Sequence, residues 1–340
     1  MKTSDFDYNL PHELIAQTPL ENRNASKLLT VNRETGELNH KVFSDIIDML
    51  DENDVLVLNN SRVYKARLIG VKEDTLAKIE LFVLEMRDNI CKCLTKPGRR
   101  VKIGTRVIFG DGLLIATCIS DLGDGIKEYK VEYEGIFYEV LDKLGTIPLP
   151  PYITEKLDDS ERYQTVYSKV IGSAAAPTAG LHFTTELMDK IREKNIQIHY
   201  VTLHVGLGTF RPVEVEDVKN HVMHSEYYIM TEETANALNK AKEENKRIVS
   251  VGTTTCRVLE SNIENGKFVA KECYTNIFIY EGYEFKAIDC LITNFHLPKS
   301  TLLMLVSAFS TKEIIFNAYE EAIKNNYRFF SFGDAMFLYK

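Results

Sequence analysis

Repeated alternation of short apolar runs with loops of small and polar residues constrains this chain more than any other feature. Val55 to Leu58 leads into Asn59-Asn60-Ser61, and Ile198 to Leu203 into His204-Val205-Gly206-Leu207-Gly208-Thr209. Ile248 to Val251 leads into Gly252-Thr253-Thr254-Thr255, and Cys290 to Thr293 into Asn294-Phe295-His296-Leu297-Pro298-Lys299-Ser300. The last two loops run on into helix-like patterns, CRVLESNI and TLLMLVSAF. Strand, loop and helix in this order predict an α/β domain built on parallel strands.

A second texture interrupts it. From about Val63 to Leu144 the chain reads as short strands punctuated by Pro97-Gly98, Gly110-Asp111-Gly112 and Gly123-Asp124-Gly125. Short strands at this spacing predict a small antiparallel β-barrel. The stiff segment Ile147-Pro148-Leu149-Pro150-Pro151 is the expected return linker. The expected organisation is thus an inserted barrel over residues 62–147 within a main domain of residues 1–61 and 148–340.

Composition narrows the function classes. With 44% hydrophobic and 26% charged residues the chain has the balance of a folded protein with a sizeable core. The start lacks a basic segment followed by an apolar run, and the apolar stretch LLMLVSAF is far too short to span a membrane. A soluble cytoplasmic protein is expected. The six cysteines form no C-x-x-C pair, so they are expected to be reduced and structural, with Cys91 and Cys93 on one strand face. The net charge of −8 argues against a broadly basic nucleic-acid binder. One strip does the opposite: Lys92, Lys96, Arg99, Arg100, Lys102 and Arg106 follow one another without an acidic residue between them. It is either a phosphate-attracting patch or a solvated strand face.

Ligands of α/β folds bind beyond the carboxyl ends of the strands, which directs attention to the polar loops. Ala176 to Thr185 holds Thr178, Gly180, His182 and Phe183 ahead of the helix ELMDKIREK, for which Thr184 is the expected cap. His204 to Arg211 contains Gly206, Gly208, Thr209 and Arg211. Its G-x-G lacks the third glycine of a dinucleotide fingerprint. Gly252 to Arg257, GTTTCR, is a possible anion cradle through Thr253 and Thr254, without the lysine of a P-loop. In the last loop Asn294 and His296 have the same parity on an extended segment and are expected to face one cavity, with Ser300 or Thr301 capping the next helix. Each loop also has an ordinary reading as a turn or cap. His221, His224 and Glu226 lack zincin spacing, so no metal is expected.

In this order the blocks LNNSRVYKARLIG, RYQTVYSKVIGSAAAPTAGLHFT, VTLHVGLGTFRPVEVEDVKNHVMHSEYY, VGTTTCRVLES and DCLITNFHLPKSTLLMLVSAF resemble the S-adenosylmethionine:tRNA ribosyltransferase-isomerase family of queuosine biosynthesis. The resemblance runs from DFDYNLPHELIAQTP to YRFFSFGDAMFLYK. It departs from the family pattern at Glu281, Ser310-Thr311 and Ser173-Ala174, and is weakest in the inserted segment. It implies a barrel-like α/β main domain and a small inserted β-barrel. It further implies that S-adenosylmethionine is consumed as a substrate, with no separate cofactor, and that tRNA carrying 7-aminomethyl-7-deazaguanine at the wobble position is the partner. The products would be epoxyqueuosine-tRNA, adenine and methionine. A tRNA methyltransferase using the same donor is the alternative, and a monomer is expected.

Such a reaction needs a base beside the ribose. His182, His204 and His296 are the nominees, His182 and His296 ahead, with Asp289, Glu226 and Asp334 as carboxylate alternatives. Arg257 and Arg211 suit the methionine carboxylate, and Phe183 or Phe295 could stack on adenine. Arg62, Arg67, Arg99 and Arg100 are the expected tRNA contacts.

Overall fold

The computed structural model describes residues 1–206 and 213–340. Its chain divides into two compact units: Met1–Arg62 with Pro150–Val170 and Ala176–Lys340, and Val63–Leu149 with Ile171–Ala175. Gly208, Thr209 and Arg211 lie outside the described residues.

The first unit holds a mixed sheet of nine strands. In chain order they are β1 (Lys27–Asn32), β2 (Leu38–Val42), β3 (Asp54–Asn59), β4 (Gln197–Leu203), β5 (Glu226–Met230), β6 (Arg247–Val251), β7 (Lys271–Thr275), β8 (Cys290–Asn294) and β9 (Ala335–Tyr339). Their order across the sheet is β7-β5-β4-β3-β6-β8-β9-β1-β2. The central set β4-β3-β6-β8 is parallel, as the strand–loop–helix alternation predicts. Residues 54 to 59 are buried throughout, so β3 is covered on both faces, which is why its sequence is a continuous apolar run rather than an alternation. Leu56, Leu58, Val249, Val251 and Ile292 project from one face onto Phe43, Phe183, Leu187 and Ile191.

Outside the centre the pairing reverses. β5 runs antiparallel to β4, and β9 antiparallel to β8, while β1 is parallel to β9. The residues leading into β5, β9 and β1 therefore reach the same sheet edge as the residues leaving β3, β4, β6 and β8. At the opposite edge, Arg247 donates through Nε and Nη2 to the two Asp54 carboxylate oxygens at 2.7 and 2.8 Å. This bidentate pair joins the starts of β3 and β6.

Helices follow from local signals. Thr184 caps α1 (Thr185–Glu193) by accepting from Leu187 N, as expected. Thr231 caps α2 (Glu232–Glu243), Ser300 caps α4 (Thr301–Phe309), and Thr311 caps α5 (Lys312–Lys324) in the same way. α3 (Thr253–Ser261) has no side-chain cap and starts from Gly252, whose φ of 89° is accessible to glycine at little cost. No single helix among the described residues is long and apolar enough to cross a membrane.

The second unit contains a closed six-stranded barrel. All its pairings are antiparallel, as the short strands and glycine turns predict. Asp124 and Gly125, both at positive φ, make the turn between Leu114–Gly123 and Ile126–Tyr133. Cys91 and Cys93 are buried on one face with sulfurs 3.4 Å apart. All six cysteines are free.

Candidate functional site

Parallel pairing of β3, β4, β6 and β8 places their polar loops on one edge of the sheet, and side-chain hydrogen bonds tie these loops together. Asn59 at the end of β3 accepts from Leu203 N at 3.0 Å and donates to Leu203 O at 3.1 Å. It also donates to Thr254 Oγ1 at 3.4 Å. A buried amide thus staples the ends of β3 and β4 to the start of α3. Gly252 N donates to Ile292 O at 2.7 Å, and a Cβ on Gly252 would lie 3.6 Å from Ala179. The loop carrying Thr178 therefore lies against the loop carrying Thr253, and the first, third and fourth candidate loops meet.

Gly180 serves a different purpose from the one its loop position suggests. A Cβ there would stand 2.0 Å from the Tyr167 hydroxyl, so the space a side chain would take belongs to Tyr167. Phe183 and Phe295 are both wholly buried. Phe183 packs edge-on against Phe43, and Phe295 sits among Tyr319, Tyr327 and Phe329. The expectation that either stacks on adenine is corrected: both rings are committed to the core.

Glu226, delivered by the antiparallel turn of β5, forms an ion pair with Arg257 Nη1 and accepts from Gly206 N at 2.9 Å. The two side chains are 5% and 6% exposed. Arg257 is thus paired through Nη1 with a carboxylate 31 residues away, while its Nε and Nη2 are buried without a partner among the described residues.

The three histidines have three different surroundings. His296 Nε2 lies 2.8 Å from Thr293 Oγ1; its backbone N donates to Tyr319 Oη at 2.8 Å, and its carbonyl accepts from Tyr8 Oη. Its neighbours differ from those of Asn294, whose Nδ2 donates to Phe330 O, so the shared-parity expectation is corrected. The chain leaves β8 at Asn294, and the two-residue period ends with the strand. His204 follows β4 and stacks on Tyr227 at 5.9 Å, with Nδ1 lacking a hydrogen-bond partner among the described residues. Burial lowers its pKa.

His182 stacks on Phe43 at 4.8 Å, with Nδ1 2.7 Å from the Ser26 hydroxyl. Only 5% exposed, it lines a small open cleft of about 30 Å³ with Ser26, Arg23, Arg162 and Ser331. Burial pushes its pKa down to about 4; the Asn294 side chain opposes the shift, and the charges of Arg328 and Arg23 add to it. Of the three nominees it is the one on this cleft. Arg23, Arg162 and Ser26 were missed from sequence because nothing local marks them: Arg23 and Ser26 come from the segment before β1 and Arg162 from Pro150–Val170, more than a hundred residues later. Among the carboxylates, Asp289 accepts from Ile248 N, while Asp334 accepts from the backbone N of Lys27 and Arg328. Both hold backbone in place.

Buried neutral histidines make acid stability testable. Burial takes His296 down to about 3 and His182 to about 4, from an ordinary 6.5. Because the folded values are depressed, both rings contribute fully above pH 6.5. Their contribution drains away as pH falls toward 4 for His182 and 3 for His296, at about 1.4 kcal/mol per pH unit for each ring. From pH 6.5 to 5 this amounts to about 2 kcal/mol per ring. Asp334 and Glu260, whose pKa values burial raises, act with the opposite sign and soften the net loss. Urea midpoints at pH 7 and pH 5 should show a smaller acid loss in His296→Gln than in the parent. Equal losses would refute the linkage.

Basic residues of the second unit divide by their partners. Arg67 pairs with Glu80 at 2.8 Å, and Arg106 with Glu73 at 2.9 Å. In the first unit Arg62 pairs with Glu161 at 2.5 Å. Lys96, Arg99, Arg100 and Lys102 are exposed and make no ion pair among the described residues. The unpaired part of the basic strip contracts to the end of Ile90–Lys96 and the turn that follows it.

Comparison with known proteins agrees over the full length. The family model described as queuosine biosynthesis protein matches residues 3–338. The chain is 58% identical over 340 residues to the S-adenosylmethionine:tRNA ribosyltransferase-isomerase of Macrococcus caseolyticus, covering 100% of both proteins. It is 57% identical over 340 residues to the protein of that name from Clostridioides difficile, covering 99% of this chain and 100% of that one. The crystal structure of S-adenosylmethionine tRNA ribosyltransferase from Thermotoga maritima is 38% identical, with a TM-score of 0.58 and coverage of 98% of this chain and 100% of that one.

Proposed function

Since this chain belongs to the queuosine biosynthesis protein family, we propose that it is an S-adenosylmethionine:tRNA ribosyltransferase-isomerase. It transfers the ribosyl part of S-adenosylmethionine to the aminomethyl nitrogen of 7-aminomethyl-7-deazaguanine in tRNA and rearranges it, releasing adenine and methionine and leaving epoxyqueuosine. The observation that carries this reading is full-length identity of 57–58% to proteins of that name. The enzyme acts on its tRNA in the cytoplasm, as a monomer and with no separate cofactor.

The sheet edge supplies what the chemistry needs. A sulfonium acidifies the protons on the ribose carbon bonded to it, and a neutral acceptor must take one. His182 lines the cleft with a neutral ring, and Ser26 beside Nδ1 orients it. His204 is the second nominee, since its ring lies at the end of β4 beside the Glu226–Arg257 pair's loop. Thr178, Thr253, Thr254 and Asn294 line the meeting loops as substrate contacts, with Gly206 holding Glu226. His296 positions the last loop through Tyr319 and Thr293.

Product analysis tests the reaction. Incubation with S-adenosylmethionine and tRNA bearing the aminomethyl base should yield adenine and methionine in equal amounts. S-adenosylhomocysteine as product would replace this reading with methyl transfer.

For the tRNA, Arg99 and Arg100 are the proposed phosphate contacts. The double substitution Arg99→Ala/Arg100→Ala should weaken tRNA binding and reduce the slope of log affinity against log salt by about two. An unchanged slope would discard these residues as contacts.

A further inference from the structure

The cleft beside His182 contains an arrangement that the proposed reaction has not yet used. Arg23 donates to Gln164 O at 2.6 Å and to Glu161 O at 2.9 Å. Arg162, between those two residues in sequence, donates back to Glu21 O at 3.1 Å and to Leu20 O. Each guanidinium clasps the segment that carries the other. All four acceptors are neutral carbonyls, so the clasp holds two guanidiniums near each other with no ion pair to either.

No carboxylate lies within ion-pair distance of Arg23 or Arg162 among the described residues. The Glu161 carboxylate is engaged by Arg62, and Asp159 Oδ1 accepts from Glu161 N. Burial and then the charge of Arg162 lower the pKa of Arg23, and the charges of Asp159 and Glu161 offset that only in part. Arg162 Nε is buried without a partner, and so is Nη1 of Arg328, whose Nη2 donates to Thr18 O. His182 lines the same cleft. The ring is 5% exposed, with Ser26 at Nδ1 and the Asn294 side chain within reach on its other side. Ser331, whose Oγ lies 2.7 Å from Tyr152 Oη, completes the wall.

Like charges held together at a half-buried site are unfavourable in themselves, and an oxyanion relieves them. We infer that this cleft binds a substrate oxyanion between Arg23 and Arg162, and that the oxyanion is the methionine carboxylate of S-adenosylmethionine. The inference rests on the function proposed above. Only a short carbon chain separates the carboxylate from the sulfonium. A carboxylate held by the clasp therefore keeps the ribose carbon near His182, which lines the same cleft. Its charge would also offset the guanidiniums that help depress His182, making the ring a better proton acceptor once substrate is bound. The other oxyanion that the reaction brings is a tRNA phosphate.

Calorimetry on the full-length protein with S-adenosylmethionine and with its decarboxylated analogue separates the possibilities. The two ligands differ only in the carboxylate. The parent protein should prefer S-adenosylmethionine by about tenfold or more, the range of a charge-assisted hydrogen bond. Arg162→Gln should bring that preference close to one while leaving affinity for the analogue unchanged. Ser331→Asp leaves both clasps in place and puts a negative charge on the cleft wall; it should reduce the preference too, which guards against a folding defect in the arginine variant. Full preference in both variants overturns the inference, as does a parent protein that binds the two ligands equally well. Retained preference with weakened tRNA binding and a shallower salt slope assigns the cleft to a tRNA phosphate and overturns the carboxylate assignment. A parent protein that binds neither ligand and releases no adenine refutes the proposed function instead.

Discussion

His182→Gln is expected to slow adenine release by about 10²–10⁴-fold, the usual contribution of a positioned proton-transfer group. Glutamine keeps a polar side chain of similar reach but offers no basic nitrogen. Single-turnover adenine release with saturating S-adenosylmethionine and tRNA is the measurement, because it isolates the chemical step from product release. Ser26→Ala should give a smaller loss, since it removes the hydroxyl beside Nδ1 and leaves the imidazole. His296→Gln should alter stability more than the chemical step, because that ring lies on Thr293 within a loop secured by Tyr8 and Tyr319. A His182→Gln enzyme turning over at the parent rate would exclude His182 as the proton acceptor.

Glu226→Ala is expected to destabilise the fold by about 3–5 kcal/mol, because it strands the Arg257 charge in a site where both side chains are nearly inaccessible. The loss should exceed that of an exposed pair such as Arg192–Asp189, whose contribution is at most about 1 kcal/mol. Replacing both partners together by apolar residues of similar volume, Glu226→Leu/Arg257→Met, should restore much of the loss, since no charge is then left buried. Urea denaturation of the parent, the single variant and the double variant gives the comparison. A single-variant loss below about 1 kcal/mol would show that Arg257 reaches solvent or another acceptor. Loss of the acceptor for Gly206 N adds to the effect at the end of β4.

Much of the fold was legible because its causes are local. Apolar runs at 55–58, 198–203, 248–251 and 290–293 became β3, β4, β6 and β8 with ends shifted by at most one residue. Thr184 and Ser300 cap the helices that follow them, because a hydroxyl before a helix satisfies an amide two or three residues on whatever the surroundings. Glycine and aspartate turns marked the small barrel for the same reason. The candidate loops were legible too, since a parallel strand followed by a polar loop places that loop at the strand's carboxyl end.

Long-range pairing decided the rest. The antiparallel flanks carry Glu226 into the strand-end loops; the same reversals bring Ser26 and Asp334 to that edge. No local pattern says which distant strand a segment will join, so Arg257 looked free in the sequence and is paired in the structure. His182 and His296 look alike as loop histidines, yet one lines a cleft and the other is enclosed by Thr293 and Tyr319. Thus the sequence by itself determined the elements, their caps and the end of the sheet where a ligand belongs. Only the tertiary structure decided which charges cancel, which rings are enclosed, and that Arg23 meets Arg162, because those outcomes depend on contacts between separate segments, 31 residues apart for Glu226 and Arg257 and 141 for Arg23 and Gln164.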